Sequence, residues 1–150
     1  MPGYRGHLTG GVVVGILALA GVVWFGVYRP DLETGMILLA ITLMGALFPD
    51  VDTDSKGQNF FYAVLAVLDL ALMFKEHYRW AAILGFVAML PALGSHRGWT
   101  HTWWAMILVP MPILLLPVIF YHRPVENLLP FYAAATLGYF SHLLLDGKFW

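Results

Sequence analysis

Apolar residues run along the chain in six blocks, 8–28, 35–48, 60–74, 79–93, 102–121 and 125–145, separated by short breaks rich in polar residues, Pro or Gly. A hydrocarbon core about 30 Å thick needs roughly 20 helical residues to cross it. The first, fifth and sixth blocks have that length. The second, third and fourth are shorter and fit buried or half-inserted helices as well as spans. The pattern predicts an all-α integral membrane protein, a single bundle of about six (four to six) transmembrane helices forming one domain over 1–150. Pro110, Pro112 and Pro117 should kink the fifth helix, which a membrane bundle tolerates when neighbours satisfy the freed carbonyls. The first block follows a weakly basic start and carries Ala18-Leu19-Ala20, which resembles a signal-peptide cleavage site. Its apolar run continues to Val27, so we read it as an uncleaved first span.

Composition sharpens this picture. Apolar residues make up 60 % of the chain and charged residues 11 %, with a mean hydropathy of +0.75; ordinary globular domains carry about 25 % charged residues. A net charge of -1 gives no electrostatic reason to expect a nucleic-acid partner. There are no cysteines, which removes disulfides, thiolate metal sites and cysteine nucleophiles. A metal site in this chain must use His and carboxylate ligands. The expected surroundings are membrane lipid, with an oligomer or larger complex left open.

If the six blocks alternate in direction, the N-terminus, the second and fourth connections and the C-terminus share one face, the front. Basic residues divide evenly, with Arg5, Lys56, Arg97 and Lys148 in front and Arg29, Lys75, Arg79 and Arg123 behind, so the positive-inside rule gives no orientation. The clusters of His and Asp are one-sided, the back having only His77 and His122 and no Asp cluster. His7 precedes the first block, Asp50 and Asp52 follow the second in "FPDVDTDSKGQ", His96 and His101 bracket "HRGWTH", and His142 and Asp146 end the sixth. All are frontal. His142 and Asp146 are spaced i and i+4, one turn apart on a helix face. Asp50 and Asp52 can point to one side if their segment is extended. Thr100 is a candidate N-cap for the fifth helix.

Singly, each cluster has an ordinary reading as a solvated turn, a loop histidine or a helix-end hydrogen bond. Together on one face they point to a metal centre. Carboxylate and imidazole ligands suit Zn²⁺ first, with Mn²⁺, Fe²⁺ or Mg²⁺ as alternatives. Seven candidates exceed what one ion needs, so two ions, or one ion and a general base, would use the set better. His77 and His122, at the back, read as loop residues. Asp69, inside the third block, reads as an interhelical hydrogen-bonding group or a protonated acid. Trp99, Trp103, Trp104 and Tyr139 read as an interfacial aromatic belt. Gly10, Gly11 and Gly15 read as points of close helix packing.

Four stretches, "GHLTGG", "FPDVDTDSKGQ", "HRGWTHTWW" and "GYFSHLLLDG", resemble in order the blocks of the YdjM-like, LexA-regulated, membrane-bound metal-dependent hydrolases. The resemblance covers residues 6 to 147. It implies a bacterial or archaeal inner-membrane protein with hydrolase activity. It places His7, Asp50, Asp52, His96, His101, His142 and Asp146 on the family's metal-ligand positions, and Arg97 and Thr100 on its accompanying polar positions. Where the family often has Ser after the third block's last His, this chain has Thr102. The expected activity is metal-dependent hydrolysis of an ester or phosphoester in a lipid-linked substrate. The ions would sit at one membrane interface, with Arg97 holding a developing anionic oxygen. The alternative is a non-catalytic membrane subunit with a structural metal.

Overall fold

A computed structural model describes residues 3–51, 56–89 and 99–147. The described residues form helices and turns: α1 (Tyr4–Trp24), α2 (Leu32–Leu47), α3 (Lys56–Phe74), α4 (Tyr78–Met89), α5 (Trp103–Leu108), α6 (Met111–Tyr121) and α7 (Leu129–Asp146). Short 3-10 turns lie at Phe48–Asp50, Trp99–His101 and Val125–Asn127. Among the described residues, four stretches are long and apolar enough to cross a membrane: Tyr4–Trp24, Leu32–Asp50, Lys56–Phe74 and Trp103–Tyr121. The protein is an all-α membrane protein.

The helices are longer than two of the short apolar blocks suggest. α2 begins at Leu32 because Asp31 caps it, its carboxylate accepting the Thr34 N–H at 2.8 Å. α3 takes in the polar residues Lys56, Gln58 and Asn59 as its first turn, where exposed polar side chains cost a helix little. The fifth block is two helices rather than one kinked helix. Pro110 has no N–H to continue the ladder, so α5 ends at Leu108 and α6 restarts at Met111. The sixth block begins with the Val125–Asn127 turn, and its helix starts only at Leu129, with Pro130 in the first turn, where proline is tolerated.

α1, α2 and α7 pack together as the centre of the bundle, while α3 and α4 pair beside them. Glycines let the three central helices approach closely, as expected for Gly11 and Gly15. A Cβ on Gly11 would stand 2.9 Å from the Ala46 Cβ, and one on Gly15 2.9 Å from the Leu39 side chain. The tightest approach was not read from the sequence. A Cβ on Gly138 would overlap the Thr42 carbonyl, and one on Gly45 would overlap the Ala135 carbonyl. Here α2 and α7 meet backbone against backbone, running in the same direction, with α1 antiparallel to both.

Large apolar side chains point outward all round, among them Leu17, Val67, Phe86 and Ile119. In water such a surface would be untenable; in a membrane protein it is the lipid contact. One expectation changes. Tyr139 is not part of an interfacial belt but is 1 % exposed, in the core against Phe48. Asp69 is half-buried, and its Oδ1 makes no hydrogen bond among the described residues. Trp103 and Trp104 are exposed, and Trp99 stacks on Trp104 with centroids 5.9 Å apart.

Candidate metal centre

Two lines of residues lead from the α2–α7 contact to the site. On α2 and its terminal turn, Thr42, Ala46 and Asp50 follow at steps of four; on α7, Gly138, His142 and Asp146 do the same. Residues four apart stack along one helix face, so two helices pinned at Thr42 and Gly138 carry Asp50, His142 and Asp146 to a common end. α1 runs the other way and brings His7, in its second turn, to that end. The Trp99–His101 turn adds His101.

Several backbone contacts fix these side chains. The Ala46 carbonyl, in the last turn of α2, accepts the His142 Nδ1–H at 2.8 Å. That bond leaves the His142 Nε2 lone pair facing the site. His101 Nδ1 lies 3.2 Å from Thr100 Oγ1, and the Thr100 carbonyl accepts the Tyr139 hydroxyl. With Nδ1–H donating to Thr100, Nε2 of His101 also faces inward. Such partners set the tautomer and aim of ligating histidines. Gln58 donates from Nε2 to the Val51 carbonyl at 2.9 Å, tying the start of α3 to the turn that carries Asp50. That turn is 3-10 over Phe48–Asp50.

The side chains converge on two carboxylates. His101 Nε2 is 3.6 Å from Asp50 Oδ1 and 3.7 Å from Asp146 Oδ2; His142 Nε2 is 3.6 Å from each of the same two oxygens. His7 Nε2 meets the opposite oxygens, 3.7 Å from Asp50 Oδ2 and 3.4 Å from Asp146 Oδ1. The His7 ring stacks on that of His142 with centroids 3.8 Å apart. Charge-assisted hydrogen bonds run at about 2.7–2.9 Å, so these spacings are too long for bonding between the groups. Ligands arranged tetrahedrally at Zn²⁺ bond lengths stand about 3.4 Å apart.

Burial and electrostatics agree with that donor set. The side chains of His7, His101, His142 and Asp146 are 0–4 % exposed, and that of Asp50 is 27 % exposed, so the approach lies past Asp50. His142 Nε2 and Asp146 Oδ1 are buried with no hydrogen-bond partner among the described residues. Unpaired buried polar atoms of this kind are costly, and a cation removes the cost. Asp50, His101, His142 and Asp146 each offer one ligand atom, all within 4.8 Å of one another. Two carboxylates at that separation repel by roughly 3 kcal/mol at an effective dielectric constant near 20. The C-terminal ends of α2 and α7 add partial negative charge to the two carboxylates. This group of Asp and His residues could hold a metal ion.

Of the residues singled out in the sequence, the structure therefore brings His7, Asp50, His101, His142 and Asp146 together. Asp52, His96 and Arg97 lie outside the described residues. Thr100 is 1 % exposed and touches the far side of His101 rather than the group of ligand atoms. It is also not the N-cap of α5; that is Thr102, whose hydroxyl accepts the Ala105 N–H. His77 and His122 are exposed and do not join the cluster. Sequence reasoning missed Tyr139 and the Ala46 carbonyl. The tyrosine's position one turn from His142 on α7 was the available signal; a backbone carbonyl offers none.

The chain matches the family model described as YdjM inner membrane protein over residues 1–148. No curated protein and no solved structure matches it. With its apolar membrane-crossing helices and its buried His/Asp cluster, the chain belongs to the YdjM inner membrane protein family.

Proposed function

We propose that the protein is a metal-dependent hydrolase of the inner membrane, acting on an ester or phosphoester of a lipid-linked substrate. The observation that carries this reading is the convergence of three imidazole Nε2 atoms on two carboxylates at 3.4–3.7 Å. The oxygens sort into two groups. Asp50 Oδ1 and Asp146 Oδ2 face His101 and His142; Asp50 Oδ2 and Asp146 Oδ1 face His7. We read the first group as the seat of one divalent ion, Zn²⁺ by its donor chemistry. We read the second as the seat of another, with Asp52 and His96 as the sequence's remaining ligand candidates. Asp50 and Asp146 would then serve both seats, each with one carboxylate oxygen.

A bound divalent ion supplies Lewis acidity, polarising the scissile ester or phosphoester and acidifying water. The chain's own residues do the rest. Asp50 and Asp146 balance the cationic charge. Ala46 and Thr100 hold the Nδ1 hydrogens of His142 and His101, keeping both Nε2 atoms turned inward; Thr100 is thus a positioning residue. Arg97, by its place in "HRGWTH", is the group for an anionic oxygen, for which its planar fork is suited. Access past Asp50 at one end of the membrane-crossing helices favours a substrate presented by the bilayer.

A structural metal is the second reading. The observation that favours it is that the cluster ties together α1, α2, α7 and the Trp99–His101 turn, segments far apart in sequence.

Elemental mass spectrometry on the purified protein tests the centre, with His101→Ala, Asp146→Ala and His7→Ala, and His77→Ala as control. We expect two ions per chain in the parent and control, one in His7→Ala, and substantial loss in the other two. A parent that stays metal-free after loading with Zn²⁺, Mn²⁺ and Fe²⁺ refutes the centre. Metal-replete protein that hydrolyses no member of a broad lipid ester and phosphoester panel refutes the hydrolase and leaves the structural metal.

A further inference from the structure

The central helices form a second feature, an open cleft, at their other end. Between the back halves of α1, α2 and α7 lies a cavity of about 350 Å³, within the range of small-molecule sites. Its floor is formed by Gly15, Leu38 and Thr42, and its mouth by Tyr28, Glu126 and Pro130. It is separated from the metal-centre residues by the layer in which Gly11 meets Ala46 and Gly138 meets Thr42.

Three properties define the occupant. The wall is apolar, and its buried hydroxyl, Thr42 Oγ1, already donates to the Leu38 carbonyl at 2.9 Å; the interior asks for no polar partner. Along α7 the lining runs from Leu129 to Leu137, about 12 Å at the helical rise. That is close to one leaflet of hydrocarbon, half of the roughly 30 Å core. Glu126 is the one charged residue among those lining the cavity. Its carboxylate makes no ion pair with any described residue, and Tyr28 shares the mouth. The cavity therefore has an interior suited to an acyl chain and, at its mouth, one unpaired carboxylate, Glu126, to meet a headgroup ammonium. Arg29 and Arg123, beside Tyr28 and Glu126 in sequence, leave that end of the bundle without net negative charge.

We propose that this cavity is a binding site for an aminophospholipid of the leaflet opposite the metal centre. One acyl chain lies between α1, α2 and α7, and the primary ammonium is held by Glu126. An anionic headgroup would meet the Glu126 carboxylate unfavourably. A quaternary ammonium can approach the carboxylate but cannot donate a hydrogen bond to it. The selectivity order is phosphatidylethanolamine first, then phosphatidylcholine, then phosphatidylglycerol.

The test is native mass spectrometry of the full chain, delipidated in detergent and then exposed to equal mole fractions of those three lipids, with thermal unfolding of each mixture. The parent should retain one phosphatidylethanolamine per chain in preference to phosphatidylglycerol by about threefold, the size expected of one partly exposed ion pair. It should also melt higher with phosphatidylethanolamine. Glu126→Gln should bring the retention ratio towards one while leaving total lipid retention intact. Ala133→Phe puts a ring into the cavity from an exposed position. It should abolish retention of all three lipids without lowering the melting temperature of delipidated protein. Equal retention of the three lipids by the parent, or unchanged selectivity in Glu126→Gln, overturns the headgroup assignment. Full retention in Ala133→Phe, or a lipid-free dimer in the parent, overturns the cavity as a lipid site.

Discussion

Gly138→Ala is the sharpest probe of how the bundle makes its metal centre. The new Cβ would overlap the Thr42 carbonyl oxygen and stand 2.8 Å from its carbon and 3.0 Å from the Ala46 nitrogen. Non-bonded carbons rest at about 3.5–4.0 Å, so α2 and α7 must part by about 1 Å. No flexible side chain can yield in their place, because every atom struck is backbone. The same displacement takes the His142–Ala46 hydrogen bond from 2.8 Å to about 3.8 Å, beyond hydrogen-bonding range. Overpacking costs about 1–3 kcal/mol, and the stranded carbonyl and imidazole cost a similar amount. Alanine's better helix propensity returns about 1 kcal/mol. The expected net loss is roughly 3 kcal/mol, with metal affinity falling about 10- to 100-fold as His142 loses its aim. Thermal unfolding of the apo protein and calorimetric Zn²⁺ titration in the same detergent measure the two effects. Gly21→Ala, with open space around its Cβ, is the control and should lose nothing. Parent-like melting and parent-like Zn²⁺ affinity in Gly138→Ala would refute the argument that this contact sets the site.

Tyr139→Phe removes the hydroxyl that bonds the Thr100 carbonyl in the core. It should cost about 1–3 kcal/mol in thermal or denaturant unfolding and weaken metal binding through His101; unchanged stability would show that carbonyl to be satisfied otherwise. Chelation of bound metal should lower the melting temperature, and restored Zn²⁺ should raise it in proportion to the logarithm of free metal. The affinity should fall with acidification, because imidazole must give up its proton to ligate; a pH-independent affinity between about 5 and 8 would exclude the histidines as ligands. At the other end of α2, Thr34 holds the Asp31 carboxyl below its usual range through its side chain and its N–H. That cap contributes stability above the ordinary carboxylate range and loses it as pH falls through the depressed value. Asp31→Asn should flatten the acid limb of a melting-temperature profile, and an unchanged limb would show the cap to be energetically silent.

The membrane character and helical class were legible because hydropathy is written in every side chain. The clustering of His7, Asp50, His101, His142 and Asp146 was legible because up-and-down helices put the block ends on two faces, and these five share one. The internal break at Pro110 was misread, since three prolines in one apolar block do not say which of them divides it. The α2–α7 contact was not legible at all. Gly45 and Gly138 resemble the other glycines of the chain, and only their meeting with an opposing backbone distinguishes them. Part of what aims the ligands was hidden for a related reason: Ala46 holds His142 through its backbone carbonyl, on which the residue name is silent.

The backbone seam between α2 and α7 also divides the sequence by its tolerance to change. The spacing of Asp50, His142 and Asp146 is set by peptide units in contact, not by the bulk of any side chain between them. The lipid-facing leucines, valines and phenylalanines are therefore free to exchange with one another at little cost to the site. A methyl group at either seam glycine would be felt two turns away. In a saturation mutagenesis map, this protein should show a permissive exterior wrapped around a narrow intolerant line, running from the glycines to the acids.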